Sequence, residues 1–454
     1  MDPNDHAVKP LAQLLEPTFG AAATSLILQF YEVSPVSVVG GYGFAVVMSN
    51  GQVQMRGGAK IDDVKTHLEE PARAGVRKVY ATEKAFAAHM GNSSVVAWGF
   101  RKYGGVVNDL DEHVINKVVT TMASTERAFA AILQDGTLMA WGDAKYGGKS
   151  PPVTAADEEY DMIVPNRAAF AAKTESGVVV AWGNVGCGGL IDEASRKLLS
   201  DKKRLGCLNL VATDWGFAAV MGDYSLVVWG DAGHLPSDQV RRILAQPNSA
   251  LNVWANRSGF LAQGRNGNTT FVGCPGVTDE KLNVLNKLLS SSGIVSVTTT
   301  WDHFAALMQD STVVMWDDCG DYSRKYFETG VEEMFATEKT IAVLTRDKQL
   351  FLWGQATSKN GNNTGTSPDQ RVHRVHVSRE AIFADIVDQK RKRLLVWGDQ
   401  VMARSIPKEL QTRIQLRGLK SVVSCTGGCA AMLLDGSVIG WFFNACSYTE
   451  IIEL

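Results

Sequence analysis

The chain has no excess of positive charge: 45 Lys and Arg stand against 48 Asp and Glu, a formal net charge of -3 over 454 residues. No whole-molecule basic field therefore draws it onto DNA or an anionic membrane. It has few cysteines, an odd seven, and none form a C-x-x-C pair. Cys425 and Cys429 are spaced wrongly for a zinc knuckle, so mostly free thiols in a reducing compartment are expected. It has no long apolar run. The longest, "GAAATSLILQF" at 20–30, is too short to span a bilayer. The opening "MDPNDHAVKP" lacks the basic flank of a secretory signal or transit peptide. An intracellular protein is expected, cytoplasmic or nuclear ahead of an organelle. Asn-x-Ser/Thr triplets such as those at Asn92 and Asn362 are read as chance.

No catalytic constellation stands out either. "GDAKYGGKS" ends in Gly148-Lys149-Ser150, but Gly142 is one residue too distant for a phosphate loop, and "PPVTAA" follows where a helix should begin. His373 and His376 are the closest histidines, and strand alternation puts them on opposite faces. We expect no enzyme, cofactor or metal.

What the chain has in abundance is repetition. "AFAAHMGNSSVVAWGF" at 85 returns as "AFAAILQDGTLMAWGD" at 128, "AFAAKTESGVVVAWGN" at 169 and "GFAAVMGDYSLVVWGD" at 216. Anchored on the Phe of Phe-Ala-Ala, copies fall at Phe44, Phe86, Phe129, Phe170, Phe217, Phe260, Phe304, Ile341, Phe383 and Cys429, a period of about 43 residues. Six residues past most anchors stands Asn or Asp, often followed by Gly, a tight-hairpin signal. Gln389 breaks this pattern in the ninth copy. Twelve residues past the anchor stand Trp98, Trp141, Trp182, Trp229, Trp316, Trp353 and Trp441. Trp397 belongs with them, displaced by two residues inserted into its turn, while Arg56 and Val272 occupy the slot in copies one and six.

A β-rich lead-in such as "VRKVYAT" at 76 or "LNLVAT" at 208 precedes each anchor, so each unit holds at least three strands. "DEASRKLLSDKKR" at 192, "PSDQVRRILAQ" at 236 and "TDEKLNVLNKLLSS" at 278 predict short peripheral helices, with Ser237 and Thr278 as N-caps. Phe-Ala-Ala is apolar on both strand faces, and its alanines demand close approach from whatever covers them. Small sheets stacked face to face around an axis meet that demand, with the Phe-Ala-Ala strands at the crowded narrow ends and Trp filling the wider space farther out. The period is too short for the helices of a βαβ sheet. The expectation is an all-β propeller of about ten short antiparallel blades over residues 34–454, after an N-terminal segment 1–33. A closed ring of ten comes before a seven-bladed ring with three extra units or an open spiral.

The lead-in strand, the Asp-Gly turn, V-x-x-W-G and a Gly-rich exit together resemble the repeat of the regulator of chromosome condensation family. "WGDAKYGG" at 141–148 and "WGNVGCGG" at 182–189 are similar to that family's exit, shortened. The units here are shorter and more numerous than that family's. The resemblance implies a propeller whose variable loops bind partners. Two surface features stand out: Lys390, Arg391, Lys392 and Arg393 at the ninth hairpin, preceded by Arg371 and Arg374, and the polar excursion "TSKNGNNTGTSPDQ" at 357–370. The basic cluster is a candidate site for an acidic protein or an RNA backbone. A plant photoreceptor with this type of propeller places tryptophans just before the anchor strand. Trp301 in "TWDHF" alone matches that placement, and Asp302 stands where Arg is usual, so a light-sensing cluster is not expected.

The function expected is a non-enzymatic interaction scaffold or a structural subunit within a multi-subunit assembly. Two alternatives come from the resemblance: guanine-nucleotide exchange on a small GTPase, or direct inhibition of an enzyme by the ring face.

Overall fold

A computed structural model describes residues 35–40, 44–48, 53–56, 75–107, 114–115, 117–151, 158–231, 233–234, 237–272, 279–317, 320–354, 366, 370–378, 381–388, 391–398, 408–425, 428–443 and 449–453. The expected N-terminal segment, residues 1–33, lies outside the described residues. Ten antiparallel sheets follow one another along the chain, each built from a contiguous stretch in the order lead-in, anchor, outer strand. Blades two, seven and ten add a fourth strand at the outer edge: Val114–Ile115, Tyr322–Tyr326 and Thr449–Glu453. The lead-in strand of blade one, Pro35–Gly40, packs against both the lead-in and anchor strands of blade ten, Leu419–Cys425 and Gly428–Leu433. The ring of ten therefore closes. The chain is an all-β propeller.

Phe-Ala-Ala recurs because one strand must serve two blade interfaces. Phe129, Ala131 and Leu133 of blade three, with Trp141, pack onto Ala85, Ala87, Val95 and Ala97 of blade two. The other face of the same strand, Ala128 and Ala130, receives Phe170, Ala172 and Trp182 of blade four. Small residues on one face and large ones on the other let neighbouring blades nest. The anchor strand is thus fully buried, but it is not the innermost strand. Contacts between adjacent blades run chiefly between lead-in strands, which line the axis. Their patterns, such as Val76–Ala81 with Arg77 and Lys78 exposed, show solvent reaching that wall. The expectation of alanine at the narrow ends is corrected: one further strand lies inside it.

In nine of the ten blades the expected anchor faces the Trp-slot residue, for example Phe129 opposite Trp141 and Cys429 opposite Trp441. The ninth blade corrects the alignment. Ile382, not Phe383, stands opposite Trp397, so its hairpin is longer by three residues rather than two. Side-chain size had favoured Phe383; the ladder favours Ile382.

Two rows of hydrogen bonds tie neighbours together. At the hairpins, the residue seven past the anchor adopts a left-handed backbone whether or not it is Gly: Gly136 at φ 71°, Ser93 at 66°, Tyr224 at 59°, Lys348 at 66°. That conformation turns its carbonyl toward the next blade. Ser93 accepts from the Val119 amide at 2.9 Å, Gly136 from Tyr160 at 2.9 Å and Lys348 from Val372 at 2.9 Å. The Asx side chain before it closes the turn, as where Asp135 Oδ1 accepts from the Thr137 amide at 3.0 Å.

The second row lies beyond the Trp. In blades two to four the Gly-rich exit forms a single 3-10 turn ending in Gly104, Gly147 or Gly188, all at positive φ. The next blade's tryptophan donates to the glycine carbonyl: Trp141 Nε1 to Gly104 at 3.0 Å, Trp182 to Gly147 at 3.0 Å, Trp229 to Gly188 at 3.1 Å. A Cβ on Gly147 would sit 2.5 Å from the Phe170 ring, which is why glycine is required. Gly147 serves this latch, and a Cβ on Gly148 would sit 2.3 Å from the Gly142 backbone, so packing accounts for the glycines of the discounted phosphate loop.

Among the described residues, four α-helices lie on the periphery: α1 (Glu193–Leu199), α2 (Asp238–Leu244), α3 (Asp279–Leu289) and α4 (Lys408–Arg417). Ser237 caps α2 as expected, accepting from Val240 at 3.4 Å, and Asp192 caps α1. Thr278, the expected cap of α3, lies outside the described residues. The sequence reading did not find α4. Among the described residues, no helix is long and apolar enough to cross a membrane.

Candidate functional site

The tight turn between lead-in and anchor strands repeats too. Thr82, Thr125, Asn166, Asn256, Thr300, Thr337 and Ser378 each stand four residues before an anchor and accept a hydrogen bond from the backbone amide three residues on. The motif was visible as "TEKAF", "TERAF", "NRAAF", "TEKTI" and "SREAI", but it was overshadowed by Phe-Ala-Ala. It places one or two side chains per blade on the same face of the ring. These residues hold hands around it: the Glu83 amide donates to the Glu126 carbonyl at 2.8 Å, Glu126 to Arg167 at 3.1 Å, Asp214 to Arg257 at 2.9 Å and Trp301 to Glu338 at 2.8 Å.

Their side chains alternate in charge. Arg167 pairs with Glu126 at 3.1 Å, Arg127 with Glu83 at 3.5 Å, and Arg257 with Asp214. Glu126 raises the Arg167 guanidinium above its ordinary value, against an opposing effect of burial. Arg257 lies over the Trp301 ring at 4.8 Å and Lys339 approaches it at 5.9 Å. Trp215 stacks on His234 at 4.5 Å with Arg167 above it at 5.8 Å. Trp301 thus sits in a cationic rather than a tryptophan cluster. A groove of about 610 Å³ runs across this face, bordered by Arg167, Asp214, Arg257, Trp301 and Glu338.

The opposite mouth of the channel has another character. Nearly every lead-in strand carries a β-bulge near its start, between Val76 and Lys78, Val119 and Thr121, Val372 and Arg374, Leu419 and Ser421, and others. A bulge aims the extra residue away from the ladder. Arg77, Lys78, His373, Arg374 and Lys420 are all exposed on this wall. Closure of blade one on blade ten makes blades nine, ten, one and two consecutive, so the cations Arg374, Lys420, Arg77 and Lys78 form one arc across blade one, whose lead-in strand carries none. Carboxylates bound it: Glu332 and Glu333 on blade eight and Asp161 on blade four. Glu332 is held by Lys348 at 2.7 Å, and Asp161 by Lys173 at 2.6 Å. Asp385, opposite Arg374 in the ladder, stands 3.9 Å from His376. His89, opposite Lys78, is pushed below the ordinary imidazole value by burial, so it adds no charge at neutral pH.

The sequence-predicted cluster divides. Arg371 and Arg374 lie on this inner strand, exposed. Arg391, Lys392 and Arg393 begin the outer strand of the same blade, with Lys392 opposite Val387, itself opposite Arg371. Lys390 lies outside the described residues, as does most of the excursion at 357–370. The tryptophans Trp98, Trp141, Trp182, Trp229 and Trp316 are buried core, while Trp353 and Trp397 are half-buried. Trp441 is placed by backbone register. Cys187 and Cys207 are free and buried, and burial pushes the Cys207 thiol up to about 12. Among the described residues, no group of three or more His, Cys, Asp or Glu gathers as metal ligands.

No family model matches the chain, and no curated protein does. Among solved structures it is similar to the ectodomain of the receptor kinase CR4 from Physcomitrella patens, at 13% identity over 61% of this chain and 72% of that one, TM-score 0.33. Human WBSCR16 matches at 12% identity over 63% and 78%, TM-score 0.33. Prp20p from Saccharomyces cerevisiae, described with its binding to Gsp1p and histones, matches at 13% over 76% and 75%, TM-score 0.28.

Proposed function

We propose that this chain is a non-enzymatic interaction scaffold whose ring holds an acidic protein partner at one channel mouth. The supporting observation is the arc of Arg77, Lys78, His373, Arg374 and Lys420, solvent-exposed on strands whose other side chains build the core. The Arg and Lys side chains stand on blades nine, ten and two, and exist as one surface only because the ring closes. Rim charges of this kind steer association and select partners by sign. The wall favours a protein over RNA: the one aromatic on the described lead-in strands of the arc, Tyr80, is covered by Lys78 at 4.7 Å, leaving no open face for base stacking. Arg371, exposed at the start of the blade-nine lead-in strand, extends the same mouth.

The test is a chain carrying Arg77→Glu, Lys78→Glu, Arg374→Glu and Lys420→Glu. Affinity purification from native cells with the unaltered chain recovers a stoichiometric partner with an acidic segment. The reversed chain melts at the same temperature and loses that partner. Retention of the same partner, or a strictly partnerless wild-type chain, refutes the reading.

A further inference from the structure

Antiparallel pairing leaves alternate amides of each outer strand pointing away from its sheet, and in most blades those groups are met. Fourth strands cover the edges of blades two, seven and ten. In blade three the Ala140 amide donates to Ser150 Oγ at 2.8 Å. In blade six, α3 supplies Ser290 to Thr269 at 3.1 Å and Asn286 to Phe271 at 3.1 Å. In blade eight the Leu350 amide reaches Thr366 at 3.0 Å. In blade five it is a carbonyl rather than an amide that is met, Val228 accepting from Ser195 at 3.1 Å and Arg241 at 3.2 Å, and α1 and α2 pack over that edge.

Blade four is different. The Thr174 amide donates to the Val178 carbonyl at 2.9 Å, which sets the phase of its outer strand, Val179–Gly183. Val180 and Trp182 then bond inward, and the amides of Val179 and Ala181 point outward. Among the described residues no acceptor meets them. Beside them runs a groove of about 660 Å³ between this edge and α1, lined by Val178, Leu190, Ile191 and Leu199, with Arg196 and Lys202 at its rim. Leu190 is 56% exposed and Val178 42%. An open, apolar sheet edge is what a soluble fold normally blunts.

We infer that the outer edge of blade four takes up an extended segment of another protein as a fourth strand. Three blades of this chain already show what fits that position: a short strand in antiparallel register. The added strand would satisfy the Val179 and Ala181 amides, lay apolar side chains against Leu190 and Leu199, and carry a carboxylate toward Lys202 or Arg196. This is recognition by strand addition, in which the backbone gives affinity and alternate side chains give specificity. It is separate from the channel-mouth reading, because the groove lies at the outer rim.

The probe is a fluorescent peptide copying residues 447–454, which contain blade ten's own fourth strand, "TEIIE". Fluorescence anisotropy should show saturable binding in the micromolar range. Ala181→Pro removes one outward amide at an edge position that tolerates proline, and it should weaken binding at least tenfold at unchanged melting temperature. Should that variant fold poorly, the same peptide N-methylated at alternate residues tests the ladder from the other side, with the protein untouched and an equal loss expected. The chain carrying Arg374→Glu and Lys420→Glu should bind the probe as well as wild type, which separates this inference from the previous one. Absence of saturable binding, or indifference to both Ala181→Pro and N-methylation, overturns it. So does concentration-dependent dimerisation abolished by Ala181→Pro, which would make the occupant a second copy.

Discussion

Replacing Trp141 with Phe isolates the latch between blades. The indole is 3% exposed, stacks on Phe129 at 5.4 Å and donates across the seam to Gly104 at 3.0 Å. Phe keeps an aromatic ring in the slot but removes the donor, leaving a buried carbonyl unmet at about 1–3 kcal/mol. The smaller ring adds about 1 kcal/mol of lost packing. Trp316 is the internal control: it is 1% exposed and stacks on Phe304 at 5.3 Å, but its nitrogen meets no acceptor among the described residues. Trp316→Phe loses the packing contribution and relieves an unmatched donor. Urea unfolding followed by far-UV circular dichroism should therefore place Trp141→Phe at least about 1–3 kcal/mol below Trp316→Phe. Equal losses would mean the cross-blade bond contributes nothing, and the seam would have to be explained by packing alone.

Trp141→Ala, which also empties the slot, should cost roughly 3–5 kcal/mol in the same assay. Ser311→Gly should raise stability by about 0.5–1 kcal/mol, because Ser311 is held at φ 65° where glycine is unstrained; a fall would refute the left-handed turn. The Asp347 carboxyl is held below its ordinary value chiefly by the Thr345 hydroxyl. A depressed folded value stabilises above the unfolded pKa of 3.8 and is lost as pH falls through the folded one. Thr345→Val should accordingly shift the Asp347 titration upward by NMR and flatten the acid limb of the stability curve. Cys207, with its thiol near 12, should react with iodoacetamide at pH 8 about a thousandfold slower than an ordinary thiol until the chain unfolds.

Much of the ring was legible because its strongest signals come from packing, which the period repeats. Phe129 and Trp141 face each other across a ladder, and twelve residues of spacing between them encode a hairpin of fixed length. Where the hairpin lengthens, as at Trp397, spacing misled and the larger Phe383 displaced Ile382 as anchor. The candidate surfaces were harder to see. Arg77-Lys78 and His373-Arg374 look like ordinary alternation, and only the bulge shows that both members of each pair face water. The arc they form needs residues some 300 apart in sequence to be brought together by closure, which no local pattern records. Helix α4 was missed because, among its described side chains, Ile414 is buried while Leu416 is 81% exposed, a weak amphipathic signature.

Because every sheet uses one uninterrupted stretch of chain, no unit borrows a strand from a distant one. Among the described residues, blades one and ten meet by surface contact rather than by sharing a ladder. A module can thus be copied or lost in the gene without tearing any sheet, and the bore of the ring would widen or narrow by one step. Circularly permuted chains, opened at any of the other nine seams and joined across the present one, should assemble the same wheel.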